Sequence, residues 1–360
     1  MTFSSKIKNK IYIIAEIGVN HNGKLSLAKQ LIDEAIQSGA DAVKFQIFKT
    51  NNLVTKTAKL ALYQKKNIKN IKNQFQMLRK LELKLKDFEN LKNYCKKKKI
   101  DFINSVFDEE SFEFNKKILK SKIIKIASGE IDNIFLLRKL NIKKEKIILS
   151  TGMSTYKDIV NSLNYLCKKK VFNFKNNKIK IINKRLFQIL KKNLVLMHCV
   201  TDYPVKDEFA NLSCIDKMIK DFKLNIGYSD HTIGNIAPLI AASKGAKVIE
   251  KHFTLNKKFN GPDHKSSLEP IELLQMVKSI RKFELLNGNG IKKLEKCEIS
   301  NIKIAKKSLV AKTLINKNEK FSFDNVTVKR PASGLSPLVF EKILNKKSRK
   351  KYLPDEIIKI

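Results

Sequence analysis

Residues 225–254 read NIGYSDHTIGNIAPLIAASKGAKVIEKHFT, a strand-like run, a helical stretch and a second strand-like run, with a histidine at the end of each run. NIGYSD (225–230) and KVIEKHFT (247–254) are short and bounded by polar or glycine residues, whereas the segment between them is long enough for a helix. Working outward, the same rhythm recurs from residue 11. IYIIAEIG (11–18), AVKFQIF (42–48), DFINSVF (101–107), IIKIAS (123–128), KIILSTG (146–152) and NLVLMHC (193–199) are further strand candidates, each followed by a helical pattern. In SLAKQLIDEAIQSGA (26–40), Leu27, Leu31, Ile32 and Ala35 share one face and Gly39 supplies a C-terminal stop. Eight βα units in series predict an α/β protein of the (β/α)8 barrel class. Periodicity alone leaves an open doubly wound sheet as the alternative.

A barrel gathers the C-terminal ends of its strands around one pocket. All five histidines stand at such ends or in a loop beside one: His21, His198, His231, His252 and His264. Any one alone is better read as a satisfied core or surface residue, but the five together point to a shared site. His231 and His252 end the last two strands, which are neighbours in a barrel. Two imidazoles suit Mn, Fe, Zn, Co or Ni and leave coordination positions open for water and substrate. Asp230 and Glu250 are candidate acids to orient them. A structural zinc site is not expected, because no Cys or His cluster offers four ligands at short spacing.

Lys44 and Lys125 lie in otherwise apolar strands, where an ammonium is costly without an anion beside it. In so lysine-rich a chain a stray one is the default; two at equivalent strand positions point to an anionic substrate. Ser105, Ser128, Ser150, Thr151 and Ser229 share that rim, and Gly129 and Gly152 would permit close backbone approach, as in a carboxylate and phosphate cradle. No P-loop or GxGxxG is present, which argues against nucleotide binding. Glu16 is the leading buried carboxylate, as a general base or a hydroxyl-binding group. Asp263, in GPDH, belongs to a loop over the same rim. Arg330, in KRPASG, stands in a Pro-Gly turn, where it is either an exposed cation or a residue reaching a partner.

The formal net charge is +40, yet of 74 basic residues only six are arginine. Nucleic-acid readers favour arginine and interleaved aromatics, so the charge reads as a solvated lysine surface, with no nucleic acid expected. Five cysteines without CxxC spacing fit a reducing compartment. No run approaches the ~18 apolar residues of a membrane span, and the run at 11–19 lacks a cleavage pattern. A cytoplasmic protein is the expectation. Residues 169–192 are basic, Asn-rich and long for a connection, and read as a surface excursion of no assigned role. The boundaries expected are 1–286 for the barrel domain, 287–296 (NGNGIKKLEK) for a linker and 297–360 for a small β-rich module, whose stretch 308–337 mixes short strands with turns and has no helical period until about residue 338.

Together, IYIIAEIGVNHNG, VKFQIFK, KIASGEIDN, STGM, HCVTDYP, GYSDHTIG, IEKHFTL, GPDHKSSLEP and VKRPASGLSP resemble the bacterial sialic acid synthase family, the phosphoenolpyruvate-dependent synthases of nine-carbon acidic sugars. The resemblance covers nearly the whole chain, and the C-terminal segment looks like the family's antifreeze-like (SAF) domain. It implies His231 and His252 as ligands of a divalent metal, Mn2+ first and Mg2+ or Co2+ as alternatives. It implies Lys44, Ser105, Lys125, Ser128, Ser150, Thr201 and Ser229 at phosphoenolpyruvate, and Gln46, Asn67, Tyr203 and Arg330 at the sugar. Glu16, Glu250 and Asp263 become the catalytic candidates. Arg330 would enter the partner subunit's barrel, in a domain-swapped homodimer. NSVFD in place of STPFD and Thr201 in place of Asn depart from the family's usual pattern. The activity implied is condensation of phosphoenolpyruvate with N-acetylmannosamine to N-acetylneuraminate and phosphate. The alternative is a legionaminic or, less favoured, pseudaminic acid synthase taking a 2,4-diacetamido-2,4,6-trideoxyhexose.

Overall fold

A computed structural model describes residues 7, 10–68 and 70–359. The strands are β1 (Tyr12–Gly18), β2 (Ala42–Ile47), β3 (Asp101–Val106), β4 (Ile123–Ile126), β5 (Lys146–Ser150), β6 (Phe172–Lys175), β7 (Lys178–Ile181), β8 (Leu194–His198), β9 (Asn225–Asp230), β10 (Val248–His252), β11 (Ser308–Ala311) and β12 (Val326–Lys329). Eight of them close a barrel in the order β1-β10-β9-β8-β5-β4-β3-β2. Every pair in it is parallel. Each barrel strand falls inside one of the eight runs read as strands, and closure removes the open-sheet alternative.

The pleat divides each strand between two cores. Tyr12, Ile14, Ala42, Ile103, Ile148, Val195, Met197 and Val248 fill the barrel interior as one apolar cluster. The alternate residues, among them Ile13, Ala15, Val43, Phe45, Ile147, Leu196 and Ile249, join a larger cluster against the surrounding helices. The helix Leu25–Gln37 buries Ala28, Leu31, Ile32 and Ala35 there; Leu27 is only half-buried, one position off the face expected for it. Gly39, at φ +81°, ends that turn as the sequence implies.

The excursion at 169–192 is ordered. β6 and β7 pair antiparallel from Phe172↔Ile181 to Lys175↔Lys178, turning at Asn176 and Asn177, both in the left-handed region. The helix Lys184–Asn193 follows, capped by the Asn183 side chain on the Leu186 N–H. Phe172, Phe187 and Leu190 are buried in the barrel's outer core, so the segment extends that core.

The chain divides into two compact units, Met1–Gly288 and Asn289–Ile360. The second is built on the antiparallel pair β11–β12. Its own core comprises Leu309, Ala311, Ile315, Phe321, Val326, Ile343, Tyr352 and Ile358, a small antiparallel module of the SAF kind. Among the described residues, no helix is long and apolar enough to cross a membrane.

Candidate active site

At the C-terminal ends of the strands lies a cavity of about 460 Å³. The inward positions of the pleat supply its charged wall: Glu16 from β1, Lys44 and Gln46 from β2, Ser105 from β3, Lys125 from β4, Ser150 from β5, Ser229 from β9, and Glu250 and His252 from β10. His231 follows β9, and Ser128, Thr201, Tyr203 and Asp263 enter from loops.

Both lysines have carboxylate partners, which the sequence did not reveal. Lys44 Nζ stands 2.8 Å from Glu16 Oε1 and donates to Ser105 Oγ at 2.9 Å. Lys125 Nζ donates to Glu250 Oε1 at 2.8 Å and Oε2 at 3.0 Å, and Ser229 Oγ donates to Glu250 Oε1 at 3.0 Å. Gln46 Nε2 donates to the same Glu16 oxygen at 3.2 Å. Burial pushes both carboxyls up. At Glu250 the two ammonium groups outweigh it and hold the group well below the usual carboxylate range. At Glu16 burial prevails over Lys44, and the carboxyl is raised. Asp263, buried and facing Glu16, is pushed up to about 7. Two carboxyls of one cavity thus end in opposite protonation regimes, the separation that acid and base work requires.

The two imidazoles lie with ring centroids 5.5 Å apart. Burial lowers His231 to about 4 and His252 further, so both are neutral, the form that binds metal. His231 Nδ1 donates to the Val200 carbonyl at 2.6 Å, which directs Nε2 elsewhere. His252 Nδ1 has no hydrogen-bond partner and stands 3.9 Å from Asp263 Oδ2. The donor set fits a divalent cation: two neutral imidazoles, a nearby carboxyl, and three carboxyls against two ammonium groups. Among the described residues no group of three or more His, Cys, Asp or Glu converges as a complete ligand set, so water and substrate would fill the remaining positions.

Loop residues complete the cavity. Ser128 Oγ contacts Cys199 Sγ at 3.0 Å and accepts from the Gly152 N–H at 3.1 Å. A Cβ on Gly152 would lie 2.2 Å from Thr201 Oγ1, so the close approach expected there is real, whereas Gly129 has open space. Ser150 Oγ, Thr201 Oγ1 and Glu16 Oε2 are buried without a partner, acceptors and donors aimed at something the chain does not supply. Tyr203 packs 4.1 Å from the His231 ring and 5.0 Å from Tyr63.

Several expectations need correcting. Only His231 and His252 of the five histidines line the cavity. His264 is held by Thr254 Oγ1 at 2.7 Å and Asn22 Oδ1 at 3.2 Å, His198 by the Ala210 carbonyl at 2.9 Å, and His21 by the Gly23 N–H at 3.1 Å. His264 ties two loops together, His21 braces its own loop, and His198 ties the end of β8 to the short helix Asp207–Ala210. Asp230 points out of the barrel, not at the imidazole beside it in sequence, because adjacent strand residues face opposite sides. Glu250 turns to Lys125. Asn67 does not line the cavity; its Nδ2 donates to the Pro262 carbonyl at 2.8 Å, bracing the loop of Asp263. Arg330 is exposed in the second unit. Tyr63 and Gln64 line the cavity without having been singled out; their place beside Asn67 on one short helix, Leu62–Asn67, was the available signal.

A closed barrel whose strand ends gather paired ions, two imidazoles and unpartnered polar atoms has the architecture of a barrel enzyme. The profile of the NeuB family matches residues 31–292. The chain is 47% identical over 350 residues to the N,N'-diacetyllegionaminic acid synthase of Campylobacter jejuni, covering 97% of this chain and 99% of that protein. It is 38% identical to the enzyme of that name from Legionella pneumophila, over 91% of this chain and 87% of that one. The crystal structure of the N-acetylneuraminic acid synthetase of Leptospira borgpetersenii in complex with citrate matches with a TM-score of 0.65 at 31% identity, over 82% of this chain and 90% of that one. The chain belongs to the NeuB family and is a nonulosonic acid synthase.

Proposed function

We propose that the chain condenses phosphoenolpyruvate with a 2,4-diacetamido-2,4,6-trideoxyhexose, giving N,N'-diacetyllegionaminic acid and phosphate. The observation that carries this choice is the 47% identity, over almost the full length of both chains, to a synthase of that acid, against 31% to the sialic acid synthetase. The N-acetylneuraminate expectation gives way to its alternative.

Lys44 and Lys125, with Ser105, Ser128, Ser150, Thr201 and Ser229, hold the carboxylate and phosphate of phosphoenolpyruvate. The substrate anion shares ammonium groups that Glu16 and Glu250 occupy in the free chain. Gln46 and Tyr203 face the sugar, with Asn67 supporting them from behind the Asp263 loop. His231 and His252 hold a divalent cation, Mn2+ first, with Mg2+ or Co2+ as substitutes; when bound it supplies Lewis-acid polarisation of the aldehyde oxygen. The enol carbon of phosphoenolpyruvate forms the new bond to the aldehyde carbon, and Asp263, near half-ionised at neutral pH, gives that oxygen its proton. Water adds to the resulting electron-poor carbon, one of its protons passing to Glu16; the C–O bond then breaks with its electron pair on phosphate, which takes the remaining hydroxyl proton as the product carbonyl forms.

Phosphate release measured with phosphoenolpyruvate and each sugar tests the reading. The diacetamido sugar should exceed N-acetylmannosamine in kcat/KM by at least about tenfold, ~1.4 kcal/mol. Equal or reversed preference restores the N-acetylneuraminate reading. We further propose that Arg330 completes the sugar site of a partner subunit in a domain-swapped homodimer, as the family resemblance implies. A mixture of Arg330→Ala and His231→Ala chains, co-refolded, should then regain part of the activity that each lacks. No recovery despite demonstrated subunit exchange removes that role.

A further inference from the structure

The pleat that aims His231 and His252 into the cavity aims the residue before each of them outward. Those two residues, Asp230 and Lys251, are cross-strand partners on β9 and β10, and both are fully buried between the barrel and its helices. Lys251 Nζ donates to Asp230 Oδ2 at 2.6 Å and also to the Thr232 carbonyl. Asp230 Oδ1 accepts from the Tyr228 hydroxyl, the Thr232 N–H and Thr232 Oγ1, each at 2.9 Å. The pair therefore grips the backbone on both sides of His231, whose own carbonyl accepts from the Val205 N–H at 2.9 Å. It equally fixes the residue from which His252 continues.

Such a pair is a poor device for stability alone. Desolvating two charges offsets much of their attraction, and apolar residues of similar volume usually serve a buried position as well or better. What an ion pair saturated with hydrogen bonds adds is one geometry, because every alternative leaves a buried charge unpaired. Here that geometry is the spacing and direction of two strand ends, each carrying an imidazole.

We infer that the Asp230–Lys251 pair is the positioning device for the two imidazoles, and that it sets the affinity of this histidine pair for a divalent cation. Neither residue reaches the cavity, so both act through the histidines. The inference rests on reading His231 and His252 as a metal pair, and the test separates the two.

Lys251→Met and the double variant Asp230→Leu with Lys251→Met are compared with the full-length wild type, metal-free. Mn2+ affinity is measured by the electron paramagnetic resonance signal of the free ion. Imidazole 15N spectra are recorded without metal, and thermal melts establish the folded fraction. The double variant removes both charges and is expected to stay folded where the single variant fails. Mn2+ affinity should fall about 10- to 100-fold, as when a partner of a metal ligand is removed. The His231 and His252 resonances should shift or broaden while those of His21 and His264 hold. A folded double variant with wild-type Mn2+ affinity and unmoved His231 and His252 resonances overturns the inference. A wild type that binds no Mn2+ sinks the metal reading; the metal-free spectra then still decide whether the pair positions the rings.

Discussion

Both ends of the barrel gather charge, partly exposed at the N-terminal end and buried at the C-terminal one. At the N-terminal end, Asp41 accepts from the Ile13 N–H at 2.9 Å and from Arg281 at 2.7 Å, and Lys10 pairs with its other oxygen. Arg281 also reaches the Ile11 carbonyl at 2.8 Å and Glu284 at 3.1 Å, and Tyr12 donates to Asp101. Every side chain in that network is answered within the chain. At the C-terminal end the ion pairs Lys44–Glu16 and Lys125–Glu250 are equally short, yet Glu16 Oε2, Ser150 Oγ, Thr201 Oγ1 and His252 Nδ1 remain unanswered among them. An ion network is therefore no mark of function by itself; burial together with unanswered polar atoms sets the C-terminal end apart. In barrel enzymes generally, one end serves the fold and the other the substrate.

The largest effect that could break this contrast is loss of the metal pair. His252→Ala, or wild type in chelator, should lose about 1000-fold in kcat, several kcal/mol of barrier, while the melting temperature moves by only a few degrees. Full rate in chelator removes the metal from the mechanism.

Next come matched deletions at the two ends. Lys44→Met should raise the phosphoenolpyruvate KM by the equivalent of ~2–5 kcal/mol, because an anion loses its buried partner. Asp41→Ala should instead cost ~1–3 kcal/mol of stability, read from urea unfolding, with kcat/KM within about twofold of wild type. An Asp41 variant that loses activity at unchanged stability, or a Lys44 variant with an unchanged KM, dissolves the distinction.

A smaller effect concerns pH. His21, His231 and His264 are each held near 4 by burial, below the 6.5 of an exposed imidazole. As pH falls below about 6.5 the unfolded chain takes up these protons first, so stability is full above that pH and is lost toward 4. Asp263 acts in the opposite sense: its raised group binds a proton in the folded chain below about 7, adding stability as pH falls. All five imidazoles are lowered by burial, whereas Asp263 and Glu16 are cavity carboxyls raised by it; the imidazoles prevail, so metal-free protein should lose a few kcal/mol between pH 6.5 and 5, at ~1.4 kcal/mol per unit and group. Unfolding curves that coincide at those two pH values contradict it. The smallest effect is at the surface: duplex DNA should bind weakly and release near physiological salt, since lysines without arginine-rich readout contribute only counterion exchange. Sequence-selective binding that survives such salt would make the +40 charge functional.

Much of the site was legible because alternation is local. Glu16, Lys44, Gln46, Ser105, Lys125, Ser150, Ser229, Glu250 and His252 all occupy inward positions of strands that the sequence marks out, and a polar residue in an apolar strand stands out against its neighbours. Asp230 shows the limit. Sequence proximity to His231 suggested a shared role at the cavity, and the pleat turned it to the far side of the wall. His198, the last residue of β8, is turned outward by the same pleat, and His21 and His264 show the limit for loops: a strand-end address names the rim of a barrel, and only the loop's path says whether a ring faces the cavity or a neighbouring backbone. The β6–β7 hairpin did carry a signal, since Phe172, Phe174, Ile179 and Ile181 alternate with polar residues about the Asn176-Asn177 turn; the lysine and asparagine content around that alternation is what reads as a surface excursion.

The sequence by itself determined the eight βα units, the family resemblance, and which residue types could stand at the strand ends, since periodicity and motif are properties of neighbours along the chain. Only the tertiary structure decided who answers whom. Closing the barrel brings Lys125 to Glu250, 125 positions away, and Lys44 to Glu16. It also leaves Asp263 raised and Glu250 depressed although both are buried carboxylates. Protonation follows from the charges within a few ångströms, and the barrel's closure, through contacts no local pattern encodes, sets those distances.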